Sequence, residues 1–202
     1  ALPDRDPNRN RLHDIDRQFG QLRQAGIAGR EPADLSWSHG DISAFGLPRT
    51  FALLAPGSSP HRLLKRWPVA GYRELAVALS ARGVAPVVIG TAPEQPLAAA
   101  ALEGVRGGID LTGSTNFAQL SSLARAATFA VGNDTGPMHL IASAGCPAIV
   151  LFSRDSDPAL CAPRGARVSV LCRPDLGQLE VAAVLHTVAE VAPALDAAAV
   201  AG

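Results

Sequence analysis

An apolar run gives way to a polar turn and a helix start in Val131-Gly132-Asn133-Asp134-Thr135-Gly136-Pro137-Met138-His139-Leu140. Residues 128–132 predict a short buried strand, and Pro137, with its fixed φ, suits the first turn of a helix that runs to about Gly145. The first amides of a helix lack intrahelical partners and carry the positive end of its dipole, so they favour an anion such as phosphate. We therefore expect an anion-binding turn at the carboxyl end of a strand.

The side chains of this turn add groups that recognise hydroxyls and phosphates. Asp134, Thr135 and His139 would place a carboxylate, a hydroxyl and an imidazole around one crevice, and Gly136 would let a ligand approach the backbone. This set suits a sugar nucleotide. The alternative is an ordinary turn and helix cap followed by a structural histidine.

Composition favours one compact domain with an extension. The 202 residues are 48% hydrophobic and carry 18 basic and 18 acidic side chains, without a basic stripe that would favour nucleic acid. Cys146, Cys161 and Cys172 form no Cys-x-x-Cys pair, which argues against a disulfide framework and a zinc site and favours a reducing compartment. The first residues lack the apolar core of a signal peptide, and no stretch reaches the roughly 18 apolar residues of a membrane span. These features predict a cytoplasmic protein.

Two regions are predicted along the chain, an extension over residues 1–50 and an α/β domain over residues 51–202. The extension should contain an amphipathic helix, whose apolar positions are Leu12, Ile15, Phe19, Leu22 and Ile27. Its function would be to pack against the domain body or against a second domain. In the following loop, Trp37 is expected to pack and His39 to lie on the surface.

Apolar runs alternate with helical patterns from Phe51 onward, which predicts a Rossmann-like parallel sheet of six strands. The predicted strands are Phe51–Ala55, Pro86–Ile89, Ile109–Leu111, Thr128–Val131, Ala148–Phe152 and Val168–Leu171, and the longer helices are Val69–Arg82 and Leu179–Val191. Asn116 and Gln119 predict a capping box, with Phe117 facing inward. Right-handed crossovers would place the strand carboxyl ends at one edge, where residues 56–67, 90–95, 112–116 and 133–139 would meet a ligand.

The loop after the first predicted strand supplies hydroxyls and then cations. Ser58 and Ser59 could donate hydrogen bonds to phosphate oxygens, and Lys65, the only lysine of the chain, could place a compact positive charge against a diphosphate. The alternative is that Lys65 and Arg66 form a solvated charged pair.

The loops after the second and third predicted strands offer weaker signals. Glu94 could accept hydrogen bonds from a ribose diol, although a glutamate at a helix start is favoured by the dipole without any ligand. Gly113, Ser114 and Thr115 could touch a base or ribose or could simply form a cap. Neither a Walker loop nor a Gly-x-Gly-x-x-Gly fingerprint occurs, which argues against ATPases and dehydrogenases.

An ordered set of motifs resembles the heptosyltransferase family, glycosyltransferase family 9. The motifs are Pro56-Gly57, Lys65-Arg66-Trp67-Pro68, Gly90-Thr91, Asp110-Leu111-Thr112-Gly113 and Gly132-Asn133-Asp134-Thr135-Gly136-Pro137-Met138-His139. The region from Phe51 to Leu171 looks like the C-terminal, donor-binding half of a GT-B enzyme. The region from Leu12 to Trp37 resembles the segment that connects the two halves.

The resemblance implies heptose transfer from ADP-heptose to the inner core of lipopolysaccharide, with inversion and without a metal or other cofactor. It also implies peripheral contact with the inner face of the inner membrane. Lys65 and either Ser58 or Ser59 would match phosphate-facing positions, Glu94 the ribose-binding acid, and Thr115 a position near the adenine pocket. The positions that match the motif holding the diphosphate and sugar are Asp134, Thr135, Gly136 and His139.

The resemblance also marks a departure, because the family's N-terminal domain, which holds the acceptor and the aspartate acting as general base, has no counterpart in these residues. We therefore expect the 202-residue polypeptide to bind the donor but to be inactive alone. The alternatives are a GT-B transferase or epimerase that uses another nucleotide sugar, and a non-catalytic nucleotide-binding module.

Overall fold

A computed structural model describes residues 6–29 and 34–193. Its strands are β1 (Phe51–Ala55), β2 (Ala85–Val88), β3 (Ile109–Asp110), β4 (Phe129–Asn133), β5 (Ala148–Phe152) and β6 (Val168–Cys172). They form a six-stranded parallel sheet in the order β3-β2-β1-β4-β5-β6. This confirms the predicted α/β, Rossmann-like sheet, and each predicted strand lies within a few residues of its observed position.

Helices cover both faces of the sheet, because the central strands are apolar on both sides. The helices are α1 (Asp14–Gln24), α2 (Val69–Ala81), α3 (Gln95–Leu102), α4 (Phe117–Ala126), α5 (Gly136–Ser143), α6 (Pro158–Cys161) and α7 (Val181–Val191). Helices α2, α3 and α7 bury residues in one core, and α4 and α5 bury residues in the other. All residues of β1, β4 and β5 are buried, as expected of parallel strands between two helical layers.

The order of the strands reverses at β1, which pairs with β2 on one side and with β4 on the other. The connections that follow β1 and β4 therefore leave the sheet in opposite directions. Doubly wound sheets bind ligands in the crevice between such connections. Ala55 of β1 lies opposite Gly132 of β4. The loop that begins at Pro56 and the turn that begins at Asp134 therefore leave the sheet side by side.

The region before β1 is attached to the sheet domain at two places. His13 Nε2 lies 2.9 Å from the carbonyl oxygen of Ala162, and Arg164 forms two hydrogen bonds with Asp16, so α1 is held beside α6. Farther along, a Cβ on Gly40 would lie 2.3 Å from the backbone nitrogen of Gln119. Only glycine can therefore pack this closely against α4.

Two packing predictions were wrong. Phe117 is 81% exposed and Trp37 is 76% exposed, whereas His39 is exposed as predicted. Phe117 is the first residue of α4 and lies three positions before the buried Leu120. This spacing places both residues on one face of the helix, but it does not show how far the buried part of that face extends toward the helix start. The predicted Asn116–Gln119 capping box is confirmed.

Among the described residues, no helix is both long and apolar enough to cross a membrane. The closing part of the predicted domain, residues 194–202, lies outside the described residues.

Candidate functional site

A cleft of about 950 Å³ opens at the carboxyl ends of β1, β2 and β4. Its walls come from the three loops that follow these strands. Of the predicted site residues, those that line it are Ser58, Ser59, Lys65, Glu94, Asp134, Thr135 and Gly136. Thr115, which follows β3, is not in its lining, and neither is His139, although His139 lies close to Asp134.

Asn133, the last residue of β4, ties three parts of the cleft together. Its side chain is fully buried, and Oδ1 accepts hydrogen bonds from the Trp67 backbone N–H (2.9 Å) and the Tyr72 hydroxyl (3.1 Å). Nδ2 donates to the carbonyl oxygens of Pro56 (2.8 Å) and Gly57 (3.1 Å). All the hydrogen-bonding capacity of the amide is used. The loop after β1 and the start of α2 are thus fixed against the turn that begins at Asp134.

Trp67 fixes the other end of the same loop. Its indole N–H donates to the carbonyl oxygen of Leu179 at 2.9 Å, and its ring meets that of Tyr72 edge to face with centroids 5.0 Å apart. Trp67 is only 3% exposed. The segment that carries Lys65 therefore ends in a buried anchor.

Lys65 lies at the centre of a polar cluster. Its ammonium is 2.6 Å from Asp134 Oδ2 and 3.1 Å from Ser156 Oγ, and the Ser156 hydroxyl also donates to Asp134 Oδ2. The Lys65 side chain is 16% exposed and that of Asp134 is 6% exposed. The interpretation of Lys65 as a solvated surface charge is therefore wrong. An ammonium has three donors, so one remains beyond these two contacts.

The two serines of the loop after β1 differ in what surrounds them. Ser58 Oγ accepts a hydrogen bond from Arg66 Nε (2.9 Å) and donates to the carbonyl oxygen of Arg62 (3.1 Å), so both its donor and an acceptor site are occupied within the protein. Ser59 is exposed at the cleft. Of the pair, Ser59 has the hydroxyl that a ligand can reach without breaking the loop.

Glu94 faces the cleft from the other side. Its Oε2 accepts hydrogen bonds from the Thr91 N–H (2.7 Å) and the Thr91 hydroxyl (2.9 Å), which completes a capping box. A Cβ on Gly57 would lie 1.7 Å from Glu94 Oε1. The carboxylate thus lies directly over the Gly57 backbone, where one oxygen is held and the other adjoins the cleft.

The turn after β4 does not behave as a simple helix cap. Thr135 occupies the position that caps α5, but its side chain makes no capping hydrogen bond. Its Oγ1 is buried and has no hydrogen-bond partner within the described part of the chain, while the residue lines the cleft. A buried hydroxyl without a partner is costly and favours a ligand that supplies one.

The surroundings of this turn also leave room for such a ligand. A Cβ on Gly136 would meet no atom of the described residues within 4 Å, so among them the space over the first turn of α5 is open. His139 Nε2 lies 4.0 Å from Asp134 Oδ1. Burial lowers the pKa of His139, and the neighbouring Asp134 carboxylate partly opposes this by raising it. The imidazole is therefore neutral at physiological pH and can accept or donate a hydrogen bond.

The loop after β5 is a part of the site that the sequence analysis missed. Ser156 contacts both Lys65 and Asp134, and Cys161 Sγ lies 3.3 Å from Ser156 Oγ. Burial raises the pKa of the Cys161 thiol, so it remains protonated. The predicted topology could have identified this loop. Residues 153–157 follow a predicted parallel strand, so they must leave the sheet at the same edge as the other loops of the cleft. Across residues 6–29 and 34–193, no three His, Cys, Asp or Glu side chains cluster closely enough to hold a metal ion.

Comparison with known proteins identifies similar sequences. Residues 11–184 match the model of glycosyltransferase family 9 (heptosyltransferase). A segment of 116 residues, 53% of the chain, is 31% identical to lipooligosaccharide heptosyltransferase 2 of Haemophilus influenzae and covers 32% of that protein.

Solved structures show the same fold. Escherichia coli heptosyltransferase WaaC with ADP is 25% identical, with a TM-score of 0.73 over 90% of this chain and 57% of WaaC. WaaC with ADP-2-deoxy-2-fluoro heptose is 24% identical, with a TM-score of 0.68 over 89% of this chain and 56% of that one. A family 9 glycosyl transferase of Veillonella parvula is 20% identical, with a TM-score of 0.77 over 95% of this chain and 62% of that one. The chain thus spans a third of the curated relative and little more than half of these structures.

Proposed function

Because the chain belongs to glycosyltransferase family 9, the heptosyltransferases, we propose that it is the donor-binding half of an enzyme that transfers heptose from ADP-heptose to the inner core of lipopolysaccharide. The observation that carries this proposal is the pairing of Lys65 with the β4–α5 turn on one wall of the cleft. A cation beside helix-start amides and an unpartnered Thr135 hydroxyl is suited to a diphosphate. A cleft of about 950 Å³ can hold a nucleotide sugar.

The proposed pose follows the order of the loops along the cleft. The diphosphate lies between Lys65, the Ser59 hydroxyl and the first amides of α5, with Ser58 supporting the loop from behind. The ribose diol donates to the free oxygen of Glu94. Thr115 does not line the cleft. It is proposed to lie near the adenine base, with the nucleoside extending past the cleft toward the loop after β3.

The heptose lies beside the β4–α5 turn in this pose. Asp134 Oδ2 is occupied by Lys65 and Ser156, which leaves Oδ1 to accept a hydrogen bond from a sugar hydroxyl. His139, 4.0 Å from that oxygen, supplies the second contact. Gly136 keeps the backbone amides within reach of the phosphates because it places no side chain of its own in the open space over the first turn of α5.

The chemical role of this half is to stabilise the leaving group. In the proposed inverting, metal-independent reaction, an acceptor hydroxyl attacks the anomeric carbon and the bond from that carbon to the ADP oxygen breaks. Negative charge grows on the diphosphate, where Lys65 and the α5 amides meet it. The acceptor and the general base are assigned to a separate N-terminal domain. We expect the 202-residue polypeptide to bind donor without transferring sugar.

The proposed location follows from this substrate. A cytoplasmic location is proposed, because a lipopolysaccharide core acceptor would be met at the inner face of the inner membrane. Contact with that membrane would be peripheral.

Calorimetric titration with ADP, GDP, UDP and CDP tests the proposal on the 202-residue polypeptide. Micromolar to millimolar ADP binding is expected, with weaker binding of the other nucleotides. Lys65→Ala and Asp134→Ala should each weaken ADP binding, whereas His186→Ala, an exposed change on α7, should not. A folded wild-type protein that binds no ADP, or a Lys65→Ala variant that binds it as tightly, would contradict the proposal.

A further inference from the structure

Ser156 occupies an unusual position for a residue of a surface loop. It follows β5, and its hydroxyl lies between the two charged groups of the cleft cluster, accepting from the Lys65 ammonium at 3.1 Å and donating to Asp134 Oδ2. Each member of this triangle therefore contacts the other two. The three residues come from loops after three different strands, so no local sequence preference brings them together.

The triangle controls how freely the Lys65 ammonium moves. A lysine side chain has several rotatable bonds, and a single contact to Asp134 would let the ammonium rotate around one carboxylate oxygen. A second acceptor at Ser156 defines its direction and leaves the third N–H as the only donor not engaged. Freezing this side chain before a ligand arrives reduces the entropy that binding must otherwise overcome.

We infer that Ser156 is a positioning residue that holds Lys65 and Asp134 as one pre-ordered unit for a diphosphate, acting through Lys65 and not on the nucleoside. This inference rests on the proposed function for its ligand. It does not depend on that function for the order of Lys65, which can be measured without any ligand.

Lys65 is the only lysine, which gives a direct ligand-free measurement. Amine acetylation followed by peptide mass spectrometry separates Lys65 from the chain's α-amino group. We expect Ser156→Ala to label Lys65 at least about threefold faster than wild type, because one of its two anchors is gone. Ser156→Thr keeps the hydroxyl and should restore slow labelling. Ser153→Ala is the matched control, since among the described residues the one hydrogen bond of the Ser153 hydroxyl is accepted from the Asp155 N–H in the same loop.

ADP and adenosine titrations then test whether the effect passes through Lys65. Ser156→Ala should weaken ADP binding about 2- to 12-fold, the range of one hydrogen bond, and leave adenosine binding unchanged. In a Lys65→Ala background the same substitution should have no further effect on ADP. A purely structural role would weaken both ligands and would persist without Lys65.

The outcomes separate the two ideas. Unchanged Lys65 labelling in Ser156→Ala overturns the inference, as does an equal loss of ADP and adenosine binding. Faster Lys65 labelling in Ser156→Ala, together with a wild-type protein that binds no ADP, would sustain the ordering of Lys65 by Ser156 and overturn the proposed function alone.

Discussion

The two sides of the cleft are built in different ways. On the β4 side, Asn133 and Asp134 are held by hydrogen bonds to residues 22 to 77 positions away in the sequence. On the β2 side, Glu94 is held by Thr91, only three positions away. The β2 side is therefore organised by a local capping motif, whereas the β4 side exists only when the sheet has assembled. Removing a contact on the β4 side should therefore lower the free energy of unfolding more than removing a contact on the β2 side.

Asn133→Ala should have the largest effect on stability. It leaves the Trp67 N–H and the carbonyl oxygens of Pro56 and Gly57 without their partner in a fully buried place. We expect the free energy of unfolding to fall by about 3 kcal/mol. Urea denaturation measures this. Tyr72→Phe removes the hydroxyl whose one proton is shared between this amide (3.1 Å) and the Ala55 carbonyl oxygen (3.2 Å), and it should cost about 1 kcal/mol. Equal losses in the two variants would argue against the tether described for the loop.

Gly57→Ala would create a steric clash between the loop after β1 and the Glu94 carboxylate on the β2 side. Its Cβ would lie 1.7 Å from Glu94 Oε1, so the carboxylate must move. Because the displaced atoms are the end of a flexible side chain, we expect a stability loss of about 1 kcal/mol from the broken Thr91–Glu94 cap, together with weaker ADP binding. Urea denaturation and calorimetry measure these changes.

Gly136→Ala is the matched variant for this prediction. Its Cβ would meet no atom within 4 Å in the part of the chain that the structure describes, so stability should change by less than about 0.5 kcal/mol while ADP binding weakens. ADP affinity that survives in Gly136→Ala would mean that the ligand does not approach the first turn of α5.

Thr91→Val tests the local side by itself. The backbone N–H of Thr91 still donates to Glu94 Oε2, and only the hydroxyl contact is lost. Unfolding free energy should fall by less than about 1 kcal/mol, with a small loss of ADP affinity. A destabilisation as large as that of Asn133→Ala would remove the difference between the two sides.

The smallest expected effect is the contribution of His139 protonation to the free energy of unfolding. Burial lowers its pKa below the ordinary 6.5, so the unfolded chain binds the proton more readily and unfolding free energy rises with pH across the window between the two pKa values. Below that window, this contribution to stability is lost. Asp134→Asn removes the carboxylate that raises the pKa, so NMR titration should show a lower His139 pKa in the variant. A higher His139 pKa in Asp134→Asn would contradict the raising effect assigned to the Asp134 carboxylate.

Much of the scaffold could be read from local patterns. Apolar runs such as residues 148–152 are long enough to form a strand of a sheet that is buried on both faces. The Asn116–Gln119 pair forms its capping box within a single helix turn. Patterns of this kind failed where exposure depends on what lies opposite. Phe117 has the spacing of a core residue yet is 81% exposed, and Trp37 is exposed while Trp67 anchors a loop.

The site divides along the same line. The sequence alone determined that a helix starts after a buried strand near Pro137, that polar residues gather at strand carboxyl ends, and that Glu94 lies at a helix start. Strand length, helix starts and parallel crossovers are local or topological consequences of residue type. The tertiary structure decided that Lys65 meets Asp134 and Ser156, that Asn133 ties the loop after β1 to β4, and that the Thr135 hydroxyl is buried without a partner. These contacts join loops that are tens of residues apart, and their geometry is set by strand order and register, which no single segment encodes.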